Sequence, residues 1–169
     1  MNHTELEESG TDMSNIAVQS PSTRFLCRIT AKVAPVVSLG TTACGERRYV
    51  TITGGTVNGE EFNGKVVAGG VDWQLQRADG TLDIAAHYVI QDDDGAQVEI
   101  RSDGFRHGPA EVMQRLAAGE EVAPDEYYFR TAITFQTGAA RWRHLNSMIA
   151  IGMGARTAGA AIIDVHLVL

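Results

Sequence analysis

Turn signals break this chain at short, regular intervals, and no other feature restricts its fold as much. From Phe25 onward, β-rich segments alternate with Gly, Asn and Asp clusters roughly every 8–14 residues, spacing that favours a sandwich or barrel over a βαβ fold. FLCRITAKV (25–33) alternates Phe25, Cys27, Ile29, Ala31 and Val33 against Leu26, Arg28, Thr30 and Lys32. RYVTITGGTV (48–57) carries Gly54-Gly55, a pair suited to a bulge or sharp bend. Asn58-Gly59 is a hairpin turn signal. FNGKVVAGG (62–70) runs into VDWQLQ (71–76), and Ala78-Asp79-Gly80 turns the chain again. TLDIAAHYVIQ (81–91), Asp92-Asp93-Asp94-Gly95 and AQVEIRS (96–102) read as a hairpin.

One short helix is expected after Pro109, which suits a first helical turn. Val112, Met113 and Leu116 form its apolar stripe and Gly119 ends it. YYFRTAITFQT (127–137), RWRHLNSMIAIGM (141–153) and AAIIDVHLVL (160–169) bring the total to about nine strands. An antiparallel chain of this size must hide its sheet edges, and closure into a barrel does that most fully. Several strands are apolar on both faces, such as Ile84, Ala86, Tyr88 and Ile90 against Ala85 and Val89. A homodimer would cover the outer face.

The 169 residues suffice for one domain with a real core. We place it at 23–169, after a disordered acidic tail at 1–22 that has few large apolar residues to offset ordering entropy. The formal charge is −7, and more than half of it sits on Glu5, Glu7, Glu8 and Asp12. An acidic chain without a basic patch argues against nucleic acid and against an anionic membrane surface. No apolar run reaches the ~18 residues of a membrane helix. Cys27 and Cys44 are too few for a disulfide framework, and the start lacks a signal-peptide pattern, so a cytoplasmic location is expected.

Phosphate-loop, G-x-S-x-G and H-E-x-x-H motifs are absent. Gly152, Gly154 and Gly159 precede no helix pattern, so no dinucleotide cofactor is expected. His87, His107, His144 and His166 lack metal-ligand spacing, and Asp92-Asp93-Asp94-Gly95 lacks the distal Glu of a calcium loop. The informative feature is polar residues on alternating strand faces. Tyr128, Arg130 and Gln136 share one face of 127–136; Trp142, His144 and Asn146 share one face of 142–150; Asp72 and Gln74 oppose Trp73. Such faces suit a wet, partly apolar cavity. Each residue also has a plainer reading. Arg130 fits a solvent-facing strand position, His144 a satisfied structural imidazole, Asp72 a turn and Trp73 the core. His87 shares the face of Ala85 and Val89, where it could point inward. Arg106 lies in GFRHGP, read as a loop at a barrel mouth.

Taken together, the Gly69-Gly70-Val71-Asp72-Trp73 segment, the YYFRT segment at 127–131 and Leu145-Asn146 resemble the domain-of-unknown-function 3237 family, also called uncharacterised protein family 0311. The resemblance spans about 25–169. It implies an all-β fold, a closed antiparallel β-barrel of the allene-oxide-cyclase, dirigent or lipocalin-like type with one short helix. It implies no general activity. The matching polar set is Asp72, Trp73, Tyr88, Arg106, Tyr128, Arg130 and Asn146. His87, Gln136 and His144 depart from it, standing where the family typically has Arg, Glu and Trp.

The function expected from these residues is cofactor-free acid–base chemistry on a partly apolar, oxygenated small molecule: isomerisation, cyclisation, hydration or elimination. His144 or Asp72 would be the base, with Arg130 and Tyr128 as further catalytic groups. Trp73, His87, Tyr88, Arg106, Trp142 and Asn146 would bind substrate. The alternatives are a barrel that binds a small ligand without changing it and a purely structural protein with no cavity.

Overall fold

The computed structural model describes residues 18–169, so most of the expected tail lies outside the described residues. Nine strands follow one another: β1 (Thr23–Val33), β2 (Val37–Thr42), β3 (Gly45–Asn58), β4 (Gly64–Gln76), β5 (Leu82–Asp92), β6 (Gln97–His107), β7 (Tyr128–Gln136), β8 (Ile149–Arg156) and β9 (Ala160–Val168). Among the described residues a single α-helix, α1 (Ala110–Ala117), joins β6 to β7. It starts directly after Pro109 and buries Val112 and Leu116, as its apolar stripe requires. Among the described residues, no helix is long and apolar enough to cross a membrane.

The hydrogen-bonded order β1-β9-β8-β7-β6-β5-β4-β3 is closed by antiparallel pairing of β1 with β3. Eight strands therefore form the barrel, and β2 adds to the free half of β3 outside it. Along β3 the partner changes from β2, up to Tyr49, to β1, from Ile52, and the register shift against β4 spans Gly54-Gly55, both with positive φ. A Cβ on Gly55 would lie 2.0 Å from the Thr30 carbonyl oxygen on β1. Only a residue without a side chain permits that seam.

Strand parity decides what fills the barrel. On β5, Leu82, Ile84, Tyr88 and Ile90 are buried, and on β7 the buried set is Phe129, Thr131, Ile133 and Phe135. One end is packed solid. There Phe62 stacks on Trp142 with ring centroids 4.6 Å apart, and the Trp142 indole N–H donates to Asp92 Oδ2 over 2.7 Å. The other end is open beneath α1.

Three elements differ from the expectation. Val37–Thr42 forms a strand that the turn pattern did not suggest. The first half of RWRHLNSMIAIGM is a 3-10 helix, Ala140–Ser147, and the strand begins only at Ile149. Trp142 and Leu145 are its buried residues, and spacing of three matches three residues per turn. Gly104 to His107, expected in a loop, extend β6 instead.

Candidate functional site

The inward parity of several strands ends in polar side chains at the open mouth. Val50 leads to Arg48 on β3, and Asp72 leads to Gln74 on β4. Ile100 leads through Ser102 and Gly104 to Arg106 on β6, and Gly152 leads through Gly154 to Arg156 on β8. Of these, Arg48, Val50, Asp72, Gln74, Arg106 and Arg156 line a cavity of about 530 Å³. Its roof is made by the Ala34–Val36 connection, by Leu116 and Ala117 of α1, and by Thr157 and Ala158 of the β8–β9 turn. A narrow space of about 50 Å³ continues below it between Ile52, Ala86, Tyr88 and Ile163. Asp72, Ile84 and Phe129 border both spaces.

A relay of side chains crosses the mouth. Arg48 Nε donates to Gln74 Oε1 over 3.0 Å, and Gln74 Nε2 donates to Asp72 Oδ2 over 2.5 Å. Asp72 Oδ1 is buried and has no hydrogen-bond partner. Arg156 donates through Nη1 to the carbonyls of Thr157 (2.5 Å) and Ala160 (2.7 Å), and its backbone N–H donates to Tyr127 Oη over 2.8 Å. Arg106 lies over the Phe129 ring at 5.9 Å, and its Nε is buried without a partner. The Phe129 ring in turn lies flat on β8, because a Cβ on Gly154 would meet it at 2.4 Å. No ion pair joins Asp72 to any of the three arginines.

Burial shifts these groups toward their neutral forms. It raises the Asp72 carboxyl above its ordinary value, while Gln74, the nearby Ala85 amide (short of bonding geometry) and the charges of Arg106 and Arg156 pull the other way. Burial, then repulsion from Arg156 and Arg48, pushes Arg106 down to about 10. Burial also lowers Arg48 and Arg156. The mouth thus combines three guanidinium groups with one carboxyl group that has a free oxygen. Such a set can move a proton and stabilise an oxyanion.

Of the residues expected at the site, Asp72, Arg106 and Tyr88 lie in the lumen. The others do not. Tyr128 is 44% exposed on the outer face, stacked on His107, and Arg130 covers its ring at 5.4 Å. Both sit on the solvated side of β7 because the apolar side takes the core. Trp73 is also outside, against Tyr49 and Arg47. His87 faces solvent and bonds to Glu99 Oε1 over 2.7 Å. Trp142, His144 and Asn146 belong to the 3-10 helix at the packed end: Trp142 is core, His144 is exposed, and Asn146 clamps Thr137 through two backbone bonds. Of Asp72, Tyr128, Arg130, His144 and Asn146, all expected at one cavity, only Asp72 therefore lines it. Gln74, expected on the same face as Asp72, lines the cavity with it; Arg48 and Arg156 have no place in the expected site, though each shares parity with buried residues of its strand. Among the described residues, no group of three His, Cys, Asp or Glu side chains is arranged to hold a metal ion.

Fold and site together define a closed β-barrel whose lumen is apolar within and lined by arginines at one mouth. The chain belongs to the family described as a protein of unknown function, DUF3237, whose model matches residues 21–168. A UPF0311 protein from Rhodopseudomonas palustris is 41% identical over 147 residues, 87% of this chain and 96% of the relative. The crystal structure of a conserved protein of unknown function from the same species has a TM-score of 0.84 at 37% identity, covering 90% of this chain and 100% of that one. A β-barrel-like protein from Acinetobacter baumannii has a TM-score of 0.80 at 34% identity, covering 90% of this chain and 99% of that one. A hydroalkoxylation enzyme from Penicillium herquei is 46% identical over 48 residues, 28% of this chain and 32% of its own. An enzyme from Penicillium herquei shares the fold at a TM-score of 0.66 and 22% identity, covering 89% of this chain and 98% of that one.

Proposed function

We propose that the protein is an enzyme performing cofactor-free acid–base chemistry on a partly apolar, oxygenated small molecule in the barrel lumen. The observation that carries this reading is Asp72, whose Oδ1 is unpartnered at the junction of both spaces, beside three arginines. Asp72 takes a proton from carbon or hydroxyl. The electron pair it leaves is delocalised onto a carbonyl oxygen, which Arg106 and its neighbours stabilise. Return of the proton to a different atom completes an isomerisation, a cyclising addition or, with loss of a leaving group, an elimination. No oxidant or reductant is consumed. The Penicillium enzyme supports this class of chemistry, because hydroalkoxylation adds an O–H across a C=C bond and needs only proton movement.

The test is turnover of a panel of hydroxy-ketones, enones and alkenyl phenols. Activity on at least one class, abolished in Asp72→Asn and kept in His144→Ala, is expected. Saturable binding without turnover would instead make the protein a carrier. The expected homodimer is part of the same reading, supported by Ile149, Ile151 and Met153, which stand exposed on the outer face of β8.

A further inference from the structure

The imbalance of charge at the mouth says something about what enters it. We infer that the lumen takes an amphipathic organic anion, its charged oxygens against Arg106 and its apolar end in the narrow space below Phe129. This rests on reading the lumen as the functional site and names the ligand class for it.

Three observations lead there. The first is the commitment of each cation. Arg48 is tied to Gln74, and Arg156 to two backbone carbonyls. Arg106 has a buried Nε with nothing to donate to, and the single carboxylate nearby is not ion-paired with it. A buried donor on a charged group is costly when unmet, so an anionic acceptor at that point restores what burial removed. The second is shape. The space narrows from about 530 Å³ to about 50 Å³ past Phe129. The lower part is mostly apolar: besides Asp72 at its border and Tyr88, its polar side chains are Ser102 and Thr131, whose hydroxyls bond each other over 2.9 Å. A bare inorganic anion leaves that floor unused, and a neutral lipid leaves the arginines unmet. The third is the position of Asp72. It borders both spaces, so its free oxygen stands beside the atoms that link the charged head to the apolar body. Its own negative charge turns the head toward Arg106 and away from the carboxylate. The proton that moves is therefore one close to the anionic group.

The test is calorimetric titration of the full-length protein with ω-phenyl carboxylates of increasing chain length, the matching ω-phenyl alcohols, and acetate. Saturable binding of at least one phenyl carboxylate is expected, at least about tenfold tighter than its alcohol and than acetate. Arg106→Met should weaken that carboxylate by about tenfold or more and leave the alcohol unchanged, while Arg130→Met on the outer face should change neither. Equal binding of carboxylate and alcohol by the unaltered protein, or no saturable carboxylate, would overturn the inference without any variant having to fold. Binding is read without turnover. Anion binding with no active compound in the panel sinks the enzyme and spares this inference; turnover of neutral compounds with no anion binding does the reverse.

Discussion

Gln74 holds Asp72 by one oxygen only: its side-chain amide donates to Oδ2 over 2.5 Å, and Oδ1 is left bare in a buried position. A carboxylate fixed in this way has one oxygen for orientation and one for proton transfer. The same amide accepts from Arg48, so the position of the carboxylate is tied to a second strand contact across the mouth.

That arrangement has a pH signature. Burial raises Asp72 above the ordinary carboxylate value, and a base works only when ionised. The activity should therefore climb with pH through an acid limb displaced above about 3.9, the value of a free Asp. Stability runs the opposite way. A carboxyl with a raised folded-state pKa binds its proton more tightly when folded, so its contribution is full below the unfolded pKa and is lost as pH rises through the folded one. Urea unfolding of the native protein and Asp72→Asn, compared across this interval, should show the difference between them changing with pH; a constant difference would contradict it.

Gly154 should not tolerate a methyl group. The added Cβ meets the Phe129 ring at 2.4–2.6 Å, well inside contact distance. Gly154→Ala should cost about 1–3 kcal/mol, as overpacking does, and push Phe129 toward the space it borders. Thermal melting reads the first effect, and loss of ligand binding reads the second.

Trp142→Phe separates the packed end from the mouth. It keeps an aromatic ring against Phe62 but removes the indole donor to Asp92 Oδ2. A loss of about 1–3 kcal/mol in denaturant unfolding is expected, with ligand affinity unchanged. An equal loss of affinity would mean that the two ends are coupled.

The outer face of β8 gives the last prediction. Ile151→Glu places a charge among Ile149 and Met153, all exposed in the single chain. Light scattering should find a dimer for the native protein and a monomer for the variant. A native monomer removes the dimer from the reading.

Much of the barrel was legible, because turn residues and period-two alternation are local signals. The site was legible only in part. On β6 the series Val98, Ile100, Ser102, Gly104, Arg106 keeps one parity, so the inward direction of Arg106 follows from two buried apolar residues. Applied to β8 and β3, the same rule reaches Arg156 and Arg48. On β7 the polar side resembles a pocket wall, yet the side carrying Phe129, Ile133 and Phe135 has the stronger claim on the interior. His144 was misplaced for another reason. In RWRHLNSM, Trp142, Leu145 and Met148 recur every third residue, the period of a 3-10 helix, while polar residues at 144 and 146 mimic strand alternation. The unpartnered oxygen of Asp72 could not be found in this way at all, since it depends on which strands become neighbours.

The seam between β1 and β9 joins the two ends of the described chain, with Thr23 beside Val168 and Ala31 beside Ala161. The cylinder can close only once β9 has been made, so during synthesis the growing chain carries an open sheet edge until that strand emerges. Contacts so remote along the chain put this protein among slow folders, on the scale of milliseconds to seconds, and make its rate of closure a property of topology more than of any single side chain.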